Sequence, residues 1–177
     1  MADYGSNSGE YTWGRRSCRP YAGAFSGWAV GGGANGSALA CGGNYPSNVE
    51  AFMRYGPFSL VGATDAELSF RYWLNSESGY DKLWVTASVD GNDFYGLHAS
   101  GSSDGWASYV FDLTNVYTLG NLVGRAQVWI AFIFVSDGSL TYAEGAYLDD
   151  IVLTKYVGGA APPAVGAAGA ESETLPP

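Results

Sequence analysis

The run Gly145-Ala146-Tyr147-Leu148-Asp149-Asp150-Ile151-Val152-Leu153 sets two adjacent carboxylates in the middle of an apolar strand. Successive side chains on a strand point to opposite faces, so Asp149 and Asp150 diverge. At least one of them heads toward the side that Ile151 and Leu153 occupy. A carboxylate in apolar surroundings needs a cation, a metal or several hydrogen-bond donors. The run closes a chain of short strands. It predicts a β-sandwich with a structural ion near its last strand.

Upstream, the same alternation recurs. Leu68, Phe70, Tyr72 and Leu74 alternate with Ser69, Arg71, Trp73 and Asn75. Leu83, Val85, Ala87 and Val89 alternate with Trp84, Thr86 and Ser88, and Asp90-Gly91 then marks a turn. Tyr109, Phe111 and Leu113 outline another strand. The run Val128-Trp129-Ile130-Ala131-Phe132-Ile133-Phe134 reads as a central strand buried on both faces. No amphipathic helix of useful length appears, and residues 115–125 read as a crossing loop. Several short strands at this spacing predict an all-β fold, an antiparallel two-sheet jelly-roll β-sandwich with a loop-rich N-terminal segment. Residues 1–10 read as a polar, disordered leader and 11–156 as the sandwich. Residues 157–177, rich in Ala, Gly and Pro, read as an interdomain linker or tail.

With 177 residues, one domain with a substantial core is expected. Seventeen acidic side chains against eight Lys and Arg give a net charge of -9. An acidic surface without a basic cluster argues against nucleic acid and against anionic membrane surfaces. No run of about 18 apolar residues is present to span a membrane as a helix. Met1-Ala2-Asp3 has no signal-peptide character and reads as the start of an excised fragment. Cys18 and Cys41 both fall in Gly/Ser/Asn-rich sequence. Exposed free thiols there are a liability, so a disulfide between them is expected, against the alternative of two unrelated thiols. Two cysteines and the single, distant His98 make a poor zinc set.

Tyr55-Gly56-Pro57-Phe58-Ser59-Leu60, Ala66 through Asn75, and Gly79-Tyr80-Asp81-Lys82-Leu83 together form a familiar series. Trp106 before Phe111-Asp112-Leu113, then Gln127 through Phe132, and then Gly145 through Leu153, continue it. The order and spacing resemble the MAM-like jelly-roll domains of bacterial secreted proteins, also called choice-of-anchor J. These are accessory domains of immune-inhibitor-A-type proteases and surface proteins. The resemblance spans about residues 11–156. It implies a two-sheet jelly roll, a secreted or cell-surface location and attachment to a further domain of the same parent chain, and it supplies no activity. It also implies a calcium-like cation held by Asp149 or Asp150, joined by a glutamate such as Glu10 or Glu144. The alternative for the Asp pair is capping by backbone donors or by an arginine such as Arg71.

Catalysis has little support. A Ser/His/Asp triad would have to use His98, which reads instead as a loop or strand-end imidazole. No His-Glu-x-x-His motif occurs. Sugar binding has more. Trp73, Trp84 and Trp129 share the strand parity opposite the main apolar set, with Arg71 on the same parity. Sugars stack on aromatic faces while flanking polar groups fix their orientation. The competing reading is that these tryptophans fill the second side of a buried sheet. The expected function is a non-catalytic extracellular module that binds a glycan or a protein. The alternative is a structural subunit of an extracellular fibre or surface layer, self-assembling as its C-terminal tail docks on a neighbour.

Overall fold

A computed structural model describes residues 9–158. Nine strands run in chain order: β1 (Thr12–Arg16), β2 (Ser26–Gly32), β3 (Glu50–Phe58), β4 (Ala63–Asn75), β5 (Lys82–Ser88), β6 (Tyr95–Ala99), β7 (Ala107–Asp112), β8 (Val128–Val135) and β9 (Gly145–Val157). One helical turn, α1 (Gly33–Gly36), follows β2. Of the leader expected over 1–10, only residues 9 and 10 are described. Of the tail expected over 157–177, only Val157 and Gly158 are, and Val157 still belongs to β9. The rest of both segments lies outside the described residues.

Two antiparallel sheets face each other, ordered β1-β2-β9-β4-β7 and β3-β8-β5-β6. Counted from β2 to β9, strands 1-8-3-6 oppose strands 2-7-4-5. That is the double-wound order of a jelly roll, with β1 added as an outer strand. The alternating residues of the sequence meet between the sheets. Leu68, Phe70 and Leu74 of β4 are buried there with Leu83 and Val85 of β5 and with Ile130, Phe132 and Phe134 of β8. Phe70 and Phe132 touch edge to face at 4.8 Å across the gap. β8 lies between β3 and β5, and its middle residues are buried on both faces, as its continuous apolar run predicts.

The N-terminal segment holds more strand than its composition suggests. β1 and β2 form a hairpin that extends the five-stranded sheet, and β3 is the outer strand of the other. The glycines that read as loop signals let strands approach closely here. A Cβ on Gly32 would lie 2.9 Å from the Trp13 carbonyl and the Thr12 hydroxyl. Residues 115–125 are loop and turn, closed by a bridge between Val116 and Gly120. Cys18 and Cys41 are joined by a disulfide with Cα atoms 5.2 Å apart. It ties the β1–β2 connection to the loop after α1.

Candidate functional site

The carboxylate pair sits at a β-bulge. Arg71 of β4 pairs with Asp149 of β9, and Ser69 with Val152, so Asp150 and Ile151 together oppose the single residue Phe70. Asp150 takes up the excess with φ 46°, in the left-handed region that short polar side chains tolerate better than most. A bulge bends its strand and re-aims side chains. Above it, Gly145 to Leu148 are buried; below it, Ile151 is 42% and Val152 51% exposed. The apolar setting inferred from alternation is therefore absent at Asp150, because the bulge interrupts that alternation and carries the strand to the surface.

Asp149 faces the outside of the five-stranded sheet. Its Oδ2 accepts the backbone N–H groups of Tyr21 (2.8 Å) and Ala22 (3.2 Å), and its Oδ1 accepts that of Asp150 (2.9 Å). Three backbone N–H groups thus cap this carboxylate. This anchors the loop between β1 and β2 and lays the Tyr21 ring over Arg71, whose guanidinium lies 4.6 Å from the ring centroid. Tyr21 meets Trp106 edge to face at 5.7 Å, and the Arg71 Nη1 donates to the Ser108 hydroxyl. Beside them a groove of about 570 Å³ runs along the outer face, lined by Ser69, Arg71, Ser108, Val110, Asp150 and Val152 among others. Arg71, which sequence reasoning placed with the tryptophans and also named as an alternative cap for the Asp pair, is thus a neighbour of that pair.

Above the groove the face is closed by alternating cations and rings. Arg16 lies over Trp28 (5.3 Å), which stacks on Tyr147 (5.5 Å). Tyr147 meets Trp73 at 5.9 Å, and Arg19 covers Trp73 at 4.0 Å. Arg19 pairs with the buried Glu144, whose other oxygen accepts the Tyr147 hydroxyl at 3.3 Å. Burial, and then the nearby Glu144, push the Tyr147 hydroxyl above its ordinary pKa. Glu144 is therefore tied to Arg19. Glu10 is exposed and uses its carbonyl to accept the N–H groups of Asn35 and Gly36. Neither glutamate joins Asp149 and Asp150 in a ligand-spaced cluster.

Among the described residues, the group whose ligand atoms all lie within 4.8 Å of one another is Glu77, Asp81 and Asp137. It joins two loops, β4–β5 and β8–β9, and could hold a hard cation through oxygen ligands. Asp81 is fully buried; its carboxylate accepts the Tyr45 hydroxyl and the Asp137 N–H (2.8 Å). Burial outweighs these bonds and raises its pKa, whereas hydrogen bonds from Ser139 lower that of Asp137. The Ser139 hydroxyl lies 2.6 Å from both Glu77 and Asp137. Sequence reasoning passed over this group. Asp81 appeared only inside a family-like run, and nothing in the spacing of residues 77, 81 and 137 announces that the loops meet.

The three tryptophans do not share a surface. Trp73 belongs to the five-stranded sheet, while Trp84 and Trp129 are on the outer face of the other. All three are half-buried. Trp129 is overlaid by the backbone of Gly56 and Gly91; a Cβ on Gly56 would lie 2.7 Å from its ring. Trp84 rests against His98 at 4.3 Å. His98 is on β6, and burial, with the nearby Lys82 charge, lowers its pKa.

No protein-family model matches the chain, and no curated protein matches it.

Proposed function

We propose that this domain is a non-catalytic extracellular binding module that takes a glycan in the groove beside the β9 bulge. The observation that carries this reading is the mounting of Arg71. Its guanidinium is held between the Tyr21 ring and the Ser108 hydroxyl, at the wall of an open groove. A guanidinium fixed in advance loses little freedom when it donates to a ligand. Ser69, Ser108 and Asp150 add hydroxyl and carboxylate partners for sugar hydroxyls, and Val110 and Val152 add apolar floor. An extracellular setting accords with the disulfide, since such bonds persist in oxidising compartments.

An oligosaccharide array probed with the whole chain, followed by calorimetry on the hits, tests the reading. Arg71→Ala and Tyr21→Ala should abolish binding while the fold is retained by circular dichroism. Binding that survives both substitutions would move the site elsewhere. A second reading, a subunit of an extracellular fibre completed by a neighbour's 157–177 segment, is favoured by one feature. The lower half of β9 pairs with β4 on one side, and no described strand pairs with the other.

A further inference from the structure

The groove beside the β9 bulge continues past the edge of its sheet. Tyr109 and Val110 of β7 line it, and they also line a second hollow of about 380 Å³ with Leu97, Asp112, Asn115 and Tyr117. β7 is the outermost strand of one sheet and β6, which carries Leu97, that of the other, so this hollow lies at the flank of the sandwich. Ser108 opposes Arg71, Val110 opposes Ser69 and Asp112 opposes Glu67. The outward residues of β7 therefore carry the face from Arg71 down to Asp112.

The side chains of the second hollow are set in place in advance. Tyr117 is 69% exposed, at the tip of a loop in which Val116 and Gly120 each donate an N–H to the other's carbonyl (3.0 and 2.7 Å). Val116 and Leu122 are buried and anchor that loop. An aromatic ring displayed on an anchored loop offers a flat apolar face with little freedom left to lose on binding. The Asp112 Oδ1 accepts the N–H (2.7 Å) and the hydroxyl (2.6 Å) of Thr114, which orients the carboxylate and leaves its other oxygen to accept from a ligand. Asn115 is exposed, and its amide supplies both donors and an acceptor.

We propose that the two hollows form one site whose ligand is a linear, uncharged oligosaccharide laid across β7 from Arg71 to Tyr117, an assignment that rests on the glycan groove proposed above. A sugar ring pairs an apolar face with hydroxyls around its rim, and it is met by an aromatic flanked by carboxylate and amide. Tyr117, Asp112 and Asn115 supply that set beyond the reach of one sugar held at Arg71. The strands β9, β4 and β7 already cover about 10 Å, and the gap to the facing sheet adds about 10 Å more. A monosaccharide would leave one hollow empty. An acidic polymer would meet Asp150 in one hollow and Asp112 in the other, with Arg71 the one cation among the described lining residues, on a chain of net charge -9.

Calorimetry on the whole chain decides the matter, with cello-, xylo-, manno- and chito-oligosaccharides of increasing length and an oligogalacturonide as the acidic counterpart. Wild type should bind at least one neutral series with an affinity that climbs until the oligomer is long enough to reach Tyr117. Tyr117→Ala should weaken binding of the longest oligomer about tenfold and leave the shortest unchanged, as for an aromatic contact removed from one end of a site. Tyr117→Phe keeps the ring and should bind as wild type does. Asn115→Ala should share the length dependence of Tyr117→Ala. Binding that needs Arg71 but is the same in Tyr117→Ala at every length overturns the second hollow and leaves the groove reading standing. Binding of no oligosaccharide, or binding that survives Arg71→Ala, overturns both. An oligogalacturonide held as tightly as the neutral oligomers overturns the uncharged ligand.

Discussion

Asp149 holds the backbone of Tyr21, accepting its N–H at 2.8 Å across 128 residues of chain. The same oxygen takes the Ala22 N–H. A carboxylate in the last strand therefore sets where a loop near the start of the chain lies, and with it the ring that steadies Arg71.

Asp149→Ala should destabilise the fold by about 0.5–1.5 kcal/mol, the net worth of an intramolecular hydrogen bond whose freed donors water can reach. Glycan binding should fall with it, because Tyr21 loses its tether. Asp149→Asn retains one acceptor oxygen and should lose less of both. Urea melts together with calorimetry on an array hit make the comparison; equal stability of wild type and Asp149→Ala would contradict the anchoring role.

Trp28→Ala should cost about 3–5 kcal/mol, as for a large buried aromatic truncated to a methyl group. The ring is fully buried, stacks on Tyr147 and donates its indole N–H to the Glu144 carbonyl. Thermal melting should show a lowered midpoint or an unfolded chain, in contrast to Tyr21→Ala.

Reducing the Cys18–Cys41 bond, which closes a loop of sequence separation 23, should cost about 3 kcal/mol by the chain-entropy relation. The mass should rise by two hydrogens on reduction, and the melting midpoint should fall. An unchanged midpoint would show that the hairpin and α1 are held by packing alone.

Acidity offers a separate check through Asp81. Its folded pKa is raised by burial, so the folded state binds its proton more tightly than the unfolded chain does. That contribution is fully present below the ordinary carboxylate pKa and is lost as pH rises through the folded value. Asp81→Asn cannot ionise and escapes the loss. The midpoint of the variant minus that of wild type should therefore increase as pH rises across and above the carboxylate range. A difference that is flat or falls with pH would show that burial does not raise the pKa of this carboxylate.

Alternation gave the strand positions because one side of each strand meets the core: Leu68, Phe70 and Leu74 needed only their period to be placed. The continuous run of β8 likewise needs two covered faces, and it has them. What alternation does not carry is the point at which it breaks. The extra residue at Asp150 costs nothing visible in composition, yet it shifts the phase of the strand, so that Asp149 and Val152, three apart, pair with the outward-facing Arg71 and Ser69. Nor does strand parity say which sheet a residue joins, so Trp73 was grouped with Trp84 and Trp129 although the sandwich separates them. β1 and β2 were hidden because their glycines serve close strand contact, and composition does not distinguish that use from a loop. Glu77, Asp81 and Asp137 meet only through the crossing of loops between the sheets, which no local pattern encodes.

The order β2-β9-β4 has a consequence for the making of the protein. The last of the described strands, β9, is inserted between two that were made early, so the five-stranded sheet has a gap through its middle until about residue 157 has left the ribosome. Before then β1 and β2 form one isolated hairpin, β4 and β7 another pair, and Trp28 has no Tyr147 to stack on. Such non-local pairing is slow to form. A nascent chain of this kind stays open and threadable during synthesis, and the sheet closes only after β9 is delivered.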